Sequence, residues 1–228
     1  MKYKAVIFDL GGTLSSSAAW EKYSNAAREI AQICSAPVED FVRLWFEQSE
    51  GLGTGLYPDY QSYIRHVNSI LGINTPDDMI DNAARIPYNV TKQVVMAARD
   101  GSIELLTHLK TKGYKTGLIS DCAPDVPEIW EETPYAPYID VAIFSCSEGM
   151  NKGNPRIFQI AVEELVVKPE NCLYIADGNR NELTNASKLG IHAVQLLIPD
   201  EVDEDNPVRE NWHGPVISSL HEVINLLK

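Results

Sequence analysis

The stretch "AVIFDLGGTL", residues 5 to 14, drives an apolar run straight into one carboxylate, Asp9, and then strips the side chains from positions 11 and 12. Other apolar runs also end on polar groups: "TGLIS" on Ser120, "CLYIAD" on Asp177, and "VAIFS" on Ser145, with Lys152 opening the loop that follows. Two carboxylates, a hydroxyl and an ammonium form a set suited to a phosphoryl group. One carboxylate attacks phosphorus, the second helps hold Mg²⁺, and Lys and Ser bind the peripheral oxygens. Each member also has a plainer reading. Asp9 could close a tight turn on its own backbone, Ser120 could form a turn, Lys152 could be a solvated charge and Asp177 a helix cap. Four suitable types at four strand ends weigh toward the chemical reading.

For these residues to meet, the runs must be strands of one sheet with a common direction. Helical patterns between the later strands supply the crossovers. "SIELLTHLKTKG" stops at Gly113, "PRIFQIAVEELVV" starts on Pro155, and "NELTNASKLG" ends on Gly190. Continuous apolar strands alternating with helices predict a doubly wound α/β core whose parallel sheet is covered on both faces. Ligands of such sheets bind outside the carboxyl ends of the strands.

The interval from Ser15 to Ala97 has no strand-like run. "WEKYSNAAREIAQIC" carries Trp20, Tyr23, Ala27, Ile30 and Ile33 at helical spacing, and "YQSYIRHVNSILG" does the same up to Gly72. "TPDDMIDNAARI" opens with Thr75 as N-cap and two aspartates in the first turn. About four helices are therefore expected between the first two strands, read as a small all-helical cap over the site. The division is 1–14 and 98–228 for the core and 15–97 for the cap. Within the cap, residues 51–59, "GLGTGLYPD", read as the loosest loop. Residues 199–207 read as an acidic surface loop, and "PVISSLHEVINLLK" as the last helix.

The chain of 228 residues carries a formal net charge of −13, which repels phosphate backbones and anionic lipid and so excludes nucleic acid and membranes as partners. An anionic substrate then needs local positive charge or a metal. No apolar run approaches the ~20 residues of a membrane span, and the early charges of "MKYKAVIFDL" do not suit a signal peptide. The expected location is the cytoplasm. Cys34, Cys122, Cys146 and Cys172 are scattered without a Cys-x-x-Cys, against both a zinc site and a disulfide framework. Cys122 reads as a small buried hydrophobe.

With these residues in view, the chain resembles the haloacid dehalogenase superfamily. The resemblance lies in "VIFDLGGT", in the strand-end serine of "GLISD", in the lysine loop "NKGNPRIF", and in the acidic turn "ADGNRNE". It spans nearly the whole chain, with the motifs in the family's order. It implies a Rossmann-like core and Mg²⁺ as cofactor. Asp9 would be the nucleophile and form an aspartyl intermediate. Thr13 would orient it, and Ser120 would hydrogen-bond a phosphoryl oxygen. Lys152 would neutralise charge on nucleophile and phosphate. The metal set would be Asp9, the Gly11 carbonyl and Asp177, with Glu182 behind them. Gly11 and Gly12 keep the approach to Asp9 open and leave amides free to bind a tetrahedral anion.

One position departs from the pattern. The family's phosphatases carry a second aspartate two residues after the nucleophile, where this chain has Gly11. General acid–base help of that kind is worth ~10²–10⁴ in rate. The first reading is a phosphatase of a small phosphorylated metabolite in which another acid, Asp121, or less well His66 as a solvated cap residue, takes over. The second is dehalogenase-type chemistry at carbon, disfavoured because that branch has an aromatic residue at this position and needs no metal. The third is a phosphate-ligand-binding member without turnover. Phosphonate cleavage would need a cap lysine, and Lys22 and Lys92 read as solvated.

Overall fold

Residues 2–16, 20–201 and 208–228 are described by the structure, a computed structural model. The strands are β1 (Ala5–Phe8), β2 (Lys115–Ser120), β3 (Val141–Phe144), β4 (Cys172–Ala176), β5 (His192–Leu196) and β6 (Val216–Ile217). They form one parallel sheet in the order β3-β2-β1-β4-β5-β6. The helices are α1 (Trp20–Ile33), α2 (Val38–Glu47), α3 (Glu50–Gly53), α4 (Tyr60–Ile70), α5 (Asp77–Met96), α6 (Ser102–Thr111), α7 (Asp125–Ile129), α8 (Ser145–Glu148), α9 (Arg156–Glu164), α10 (Glu182–Lys188) and α11 (Val223–Leu226).

Successive strand residues point to opposite faces, and both faces of this sheet are dry. Val6 and Phe8 of β1 join Leu118, Ile175 and Val194 in a cluster with Leu105, Leu106 and Leu109 of α6. Ala5 and Ile7 join Ile119 and Tyr174 in a second cluster with Ile157, Phe158 and Ala161 of α9 and Leu183 of α10. That two-sided burial is why the strands read as unbroken apolar runs. A third cluster, built on Ile30, Phe41, Trp45, Tyr63, Ile64 and Val67, belongs to the helices between β1 and β2. Those helices therefore carry a core of their own.

Chain entry into and exit from this helical insertion are fastened together. Ser15 bridges Ala98, and the Arg99 amide donates to the Leu14 carbonyl at 2.8 Å. Among its described residues the insertion holds four long helices and the one-turn α3.

Local details differ from the sequence expectation. Thr75 does not cap α5: Pro76 holds that position, while the Thr75 hydroxyl accepts from Asn68 Nδ2 at 3.0 Å. The helix then continues through the buried Pro87 to Met96, tertiary packing outweighing the lost backbone bond. Segment 51–59 is not loose. Leu52 is buried, and Gly55 lies so close to the Cys146 carbonyl that a Cβ there would overlap it. The expected last helix is shorter than the stretch suggests, because Val216–Ile217 adds β6 beside Gln195 and Leu196, and the helical part is a 3-10 turn, Leu220–Glu222, running into Val223–Leu226. Residues 202–207 of the acidic stretch and the Trp20 side chain lie outside the described residues.

Candidate active site

Parallel register brings the polar strand ends to one edge. Phe8 pairs with Leu118 on one side and Ile175 on the other, so Asp9, Ser120 and Asp177 all fall one or two residues past the same line. Asp9 and Ser120 are each 4% exposed. The Asp9 amide extends the ladder, donating to Ile175 O at 3.0 Å.

Lys152 reaches this edge from the turn between α8 and α9. Its Nζ lies 2.5 Å from Asp9 Oδ1 and 2.5 Å from Glu182 Oε2. The backbone that carries it is braced as well. The Lys152 amide donates to Asp121 Oδ1 at 2.9 Å, and Asn185 Nδ2 donates to the carbonyls of Lys152 and Gly153 at 3.0 and 3.1 Å.

Glu182 opens α10 and is fully buried. It accepts from the Gly178 and Asn179 amides at 3.0 and 2.8 Å, from the Tyr174 hydroxyl at 2.6 Å, and from Lys152. A carboxylate offers about four acceptor directions, and protein donors occupy that number. Expected behind the metal ligands, Glu182 spends its oxygens on Lys152, on Tyr174 and on the turn after β4. That turn fixes Asp177, whose Oδ2 accepts from Asn179 Nδ2 at 2.7 Å and whose carbonyl accepts from Gln195 Nε2 at 2.9 Å.

The two glycines serve different ends. Gly12 takes φ +76°, and a Cβ on it would stand 2.5 Å from Asp177 Oδ2, so the Asp9 loop and the Asp177 turn can approach only without a side chain there. At Gly11 a Cβ would meet no atom within 4 Å. The missing aspartate is an absence of a group, not of room.

Electrostatics follow from three carboxylates around one ammonium in a dry place. Burial pushes Asp9 up to about 6 against the pull of Lys152, so it stays ionised at neutral pH. Burial, then Asp9 and Glu182, push Asp177 up to about 8. Burial opposes the Lys152 charge, but Asp9 and Glu182 hold its pKa well above the usual value. Asp9 Oδ2 and the Thr13 hydroxyl are buried without a full hydrogen bond, although the hydroxyl stands close enough to Asp9 to pull its pKa down in part. An orphaned carboxylate oxygen beside a second, mutually repelled carboxylate is what a divalent cation would satisfy. Among the described residues no three His, Cys, Asp or Glu side chains form a metal cage. Two carboxylates with a backbone carbonyl and water suit Mg²⁺, which keeps much of its hydration.

Asp121 and His66 differ as acids. Asp121 Oδ2 is buried without a partner while Oδ1 holds the Lys152 amide, and burial raises its pKa. His66 is not solvated as expected: its ring packs on Tyr57 at 4.9 Å between centroids, with Nε2 buried. Cys122 is half-buried rather than buried, and its Sγ lies 4.0 Å from that of Cys146. Trp45 is core, its ring stacked on Phe41 and Tyr60.

Sequence patterns gave no sign of Arg99. Its guanidinium, 8% exposed, donates to the carbonyls of Thr13 at 2.9 Å, Gly12 at 3.0 Å and Ser15 at 3.4 Å, and pairs with Glu201 at 2.7 and 2.8 Å. The loop that follows Asp9 is thus held by the residue at which the insertion returns to the core. Tyr174 and Asn185, which fix Glu182 and Lys152, also lay outside the sequence motifs.

Comparison with known proteins adds four findings. A family model described as haloacid dehalogenase-like hydrolase matches residues 3–184. Among curated proteins, Glyceraldehyde 3-phosphate phosphatase of Methanocaldococcus jannaschii is 25% identical over 99% of this chain and 97% of its own length. Rhythmically expressed gene 2 protein of Drosophila melanogaster is 32% identical over 54% of this chain, a match spanning half of that protein. Among solved structures, a HAD family enzyme from Bacteroides thetaiotaomicron, in complex with magnesium and inorganic phosphate, shares the fold with a TM-score of 0.62 at 19% identity, covering 91% of this chain and 100% of that one.

Proposed function

The chain belongs to the haloacid dehalogenase-like hydrolases, and on that premise we propose that it is a Mg²⁺-dependent phosphatase of a small phosphorylated metabolite, working through an aspartyl-phosphate on Asp9. The observation that carries this reading is the buried Asp9–Lys152–Glu182 chain with one Asp9 oxygen left unpartnered. The name of the Methanocaldococcus relative supports a phosphorylated substrate of that size.

Asp9 attacks phosphorus and the leaving oxygen departs with the bond pair. Lys152 keeps the nucleophile ionised and then faces the charge on the transferred phosphoryl group, while Ser120 donates to a peripheral oxygen and Thr13 steadies the carboxylate. Glu182 sets the position of Lys152. Asp121 supplies the proton that Gly11 cannot: its raised pKa lets it protonate the leaving oxygen, after which its carboxylate takes a proton from the water that releases phosphate from Asp9. Asp9, the Gly11 carbonyl and Asp177 would hold Mg²⁺, which screens the phosphoryl charge from the carboxylates. Helices α1–α5, residues 15–97, act as the cap over this edge, on a core of 1–14 and 98–228.

A panel of sugar phosphates, nucleotides and acyl phosphates with Mg²⁺ tests the reading. Phosphate release that vanishes in Asp9→Asn supports it, and Asp121→Asn should then slow poor leaving groups at least ~10-fold. The missing side chain at Gly11 favours one second reading, a protein that binds a phosphorylated ligand without turnover. Tight binding with no release from any member of the panel would establish that instead.

A further inference from the structure

Two thiols lie together outside the constellation, where the sheet edge meets the helical insertion. Cys122 comes two residues after the end of β2, and Cys146 is the second residue of α8, directly after β3. These strands are neighbours, with Ser120 opposite Phe144, so the two cysteines leave the sheet at matching heights. Their Sγ atoms are 4.0 Å apart. The backbones are tied as well: the Cys122 amide donates to Ser145 Oγ at 2.9 Å, and that hydroxyl faces the Cys122 carbonyl at 3.5 Å. All four cysteines are free thiols, and the other two, Cys34 and Cys172, are buried in separate clusters.

We propose that Cys122 and Cys146 are a modification site, forming a reversible disulfide on exposure to a hydroperoxide. An S–S bond is about 2.05 Å long, and turning one thiol to its other staggered rotamer can close a gap of this size without moving strands that are already paired. The two thiols differ in the way the reaction needs. The hydrogen bond from Cys122, joined by Ser147, lowers the Cys146 pKa, whereas burial holds Cys122 well above the usual value. Both residues are half-buried, so Cys146, whose sulfur accepts the hydrogen bond, is the thiolate that meets the oxidant.

The Cys146 thiolate attacks the peroxide, the O–O bond breaks, and the departing oxygen takes a proton to give water or an alcohol. Cys146 is left as a sulfenic acid. The Cys122 sulfur then forms the S–S bond and expels hydroxide, which leaves as water with the Cys122 proton. Two thiols lose two electrons and one hydroperoxide gains them. The product fastens the loop bearing Ser120 and Asp121 to α8, against whose Cys146 carbonyl Gly55 of the insertion is packed. This inference stands apart from the phosphatase reading and survives its failure.

The test treats the folded, fully reduced chain with hydrogen peroxide and counts thiols after denaturation. The count should fall from four to two, the intact mass should drop by about 2 Da, and dithiothreitol should reverse both. Peptide mapping should join Cys122 to Cys146. In Cys146→Ser the mass loss should disappear. In Cys122→Ala, Cys146 should gain oxygen without forming a cross-link. A wild-type count that stays at four while a free cysteine in the same tube is oxidised overturns the proposal, as does a cross-link that maps to another pair.

Discussion

Asp125→Asn is expected to stabilise the fold at neutral pH and to have little effect in acid. Asp125 opens α7 with 3% exposure, and the groups nearest its oxygens are neutral hydroxyls rather than a cation. Around it stand Tyr23 of α1, Tyr60 of α4, Thr91 of α5 and the Cys122 thiol, none of them cationic at neutral pH. Asp59, Asp81, Arg85 and Glu128 line the cavity of about 420 Å³ beside it. Burial pushes its carboxyl from the ordinary 3.8 to about 6, with the Thr91 and Tyr60 hydroxyls pulling back in part. A carboxyl raised on folding contributes stability that is fully present below 3.8 and lost as pH climbs through about 6. Above that the native state holds an ionised carboxylate in a dry seam. At ~1.36 kcal/mol per pH unit the gap amounts to about 3 kcal/mol. Asparagine keeps the shape and cannot ionise, so the variant should gain about 3 kcal/mol near pH 8, or roughly 10 °C in Tm, and under about 1 kcal/mol near pH 4. Paired urea melts of both proteins at the two pH values give the difference directly, since the other carboxylates titrate alike in each. An equal difference at both pH values, or a loss near pH 8, refutes the assignment of Asp125 as a buried acid without a cation partner.

Gly11→Asp should raise turnover on poor leaving groups by ~10–10³, because the space at its Cβ is open and an acid at that point is the group the family's phosphatases use; steady-state phosphate release measures it, and a lower rate would mean the position is closed in the working enzyme. Lys152→Met leaves Asp9 and Glu182 facing each other in a buried site, so it should cost about 3–5 kcal/mol in urea melts and abolish phosphate release; a stable, active variant would contradict the ion-pair chain. Arg99→Lys keeps the charge but cannot span three carbonyls and a carboxylate, so kcat should fall at least ~10-fold with KM nearly unchanged. An unchanged kcat would free the nucleophile loop from dependence on Arg99.

The sheet was readable because its strands are dry on both faces. Ala5–Phe8 and Cys172–Ala176 have no solvent side on which to place a polar residue, so each appears as a solid apolar run ending where the sheet ends. Helix ends at Gly113 and Gly190 were readable for a related reason, since both adopt positive φ and announce it by residue type. What failed was of a different kind. Val216 and Ile217 are two residues that pair only because β5 is already there, and no pattern of two residues can declare itself. Thr75 is a good N-cap by type, yet its hydroxyl is used by Asn68. In each case a partner brought by the tertiary fold decided the outcome.

The same distinction divides the candidate site. Asp9, Ser120, Lys152 and Asp177 could be picked out because each terminates a strand or opens the loop after one, and parallel topology alone gathers such residues. The groups that hold them could not. Arg99 lies 86 residues from the Thr13 carbonyl it grips and 102 from Glu201, and Asn185 braces Lys152 from 33 residues away. Nothing in an arginine's neighbours along the chain reveals which carbonyls it will reach. Reactive groups are constrained by where the backbone must stop, whereas bracing groups are constrained only by who is near when it does. Asp121 belongs to both sets. It follows a strand-end serine, and its one bonded oxygen holds the amide of Lys152, so the candidate acid also fixes the residue that keeps Asp9 ionised. A loss of rate in Asp121→Asn therefore has two possible sources, and they separate by leaving group. A missing proton slows only substrates whose leaving oxygen needs it, while a displaced Lys152 slows all of them alike.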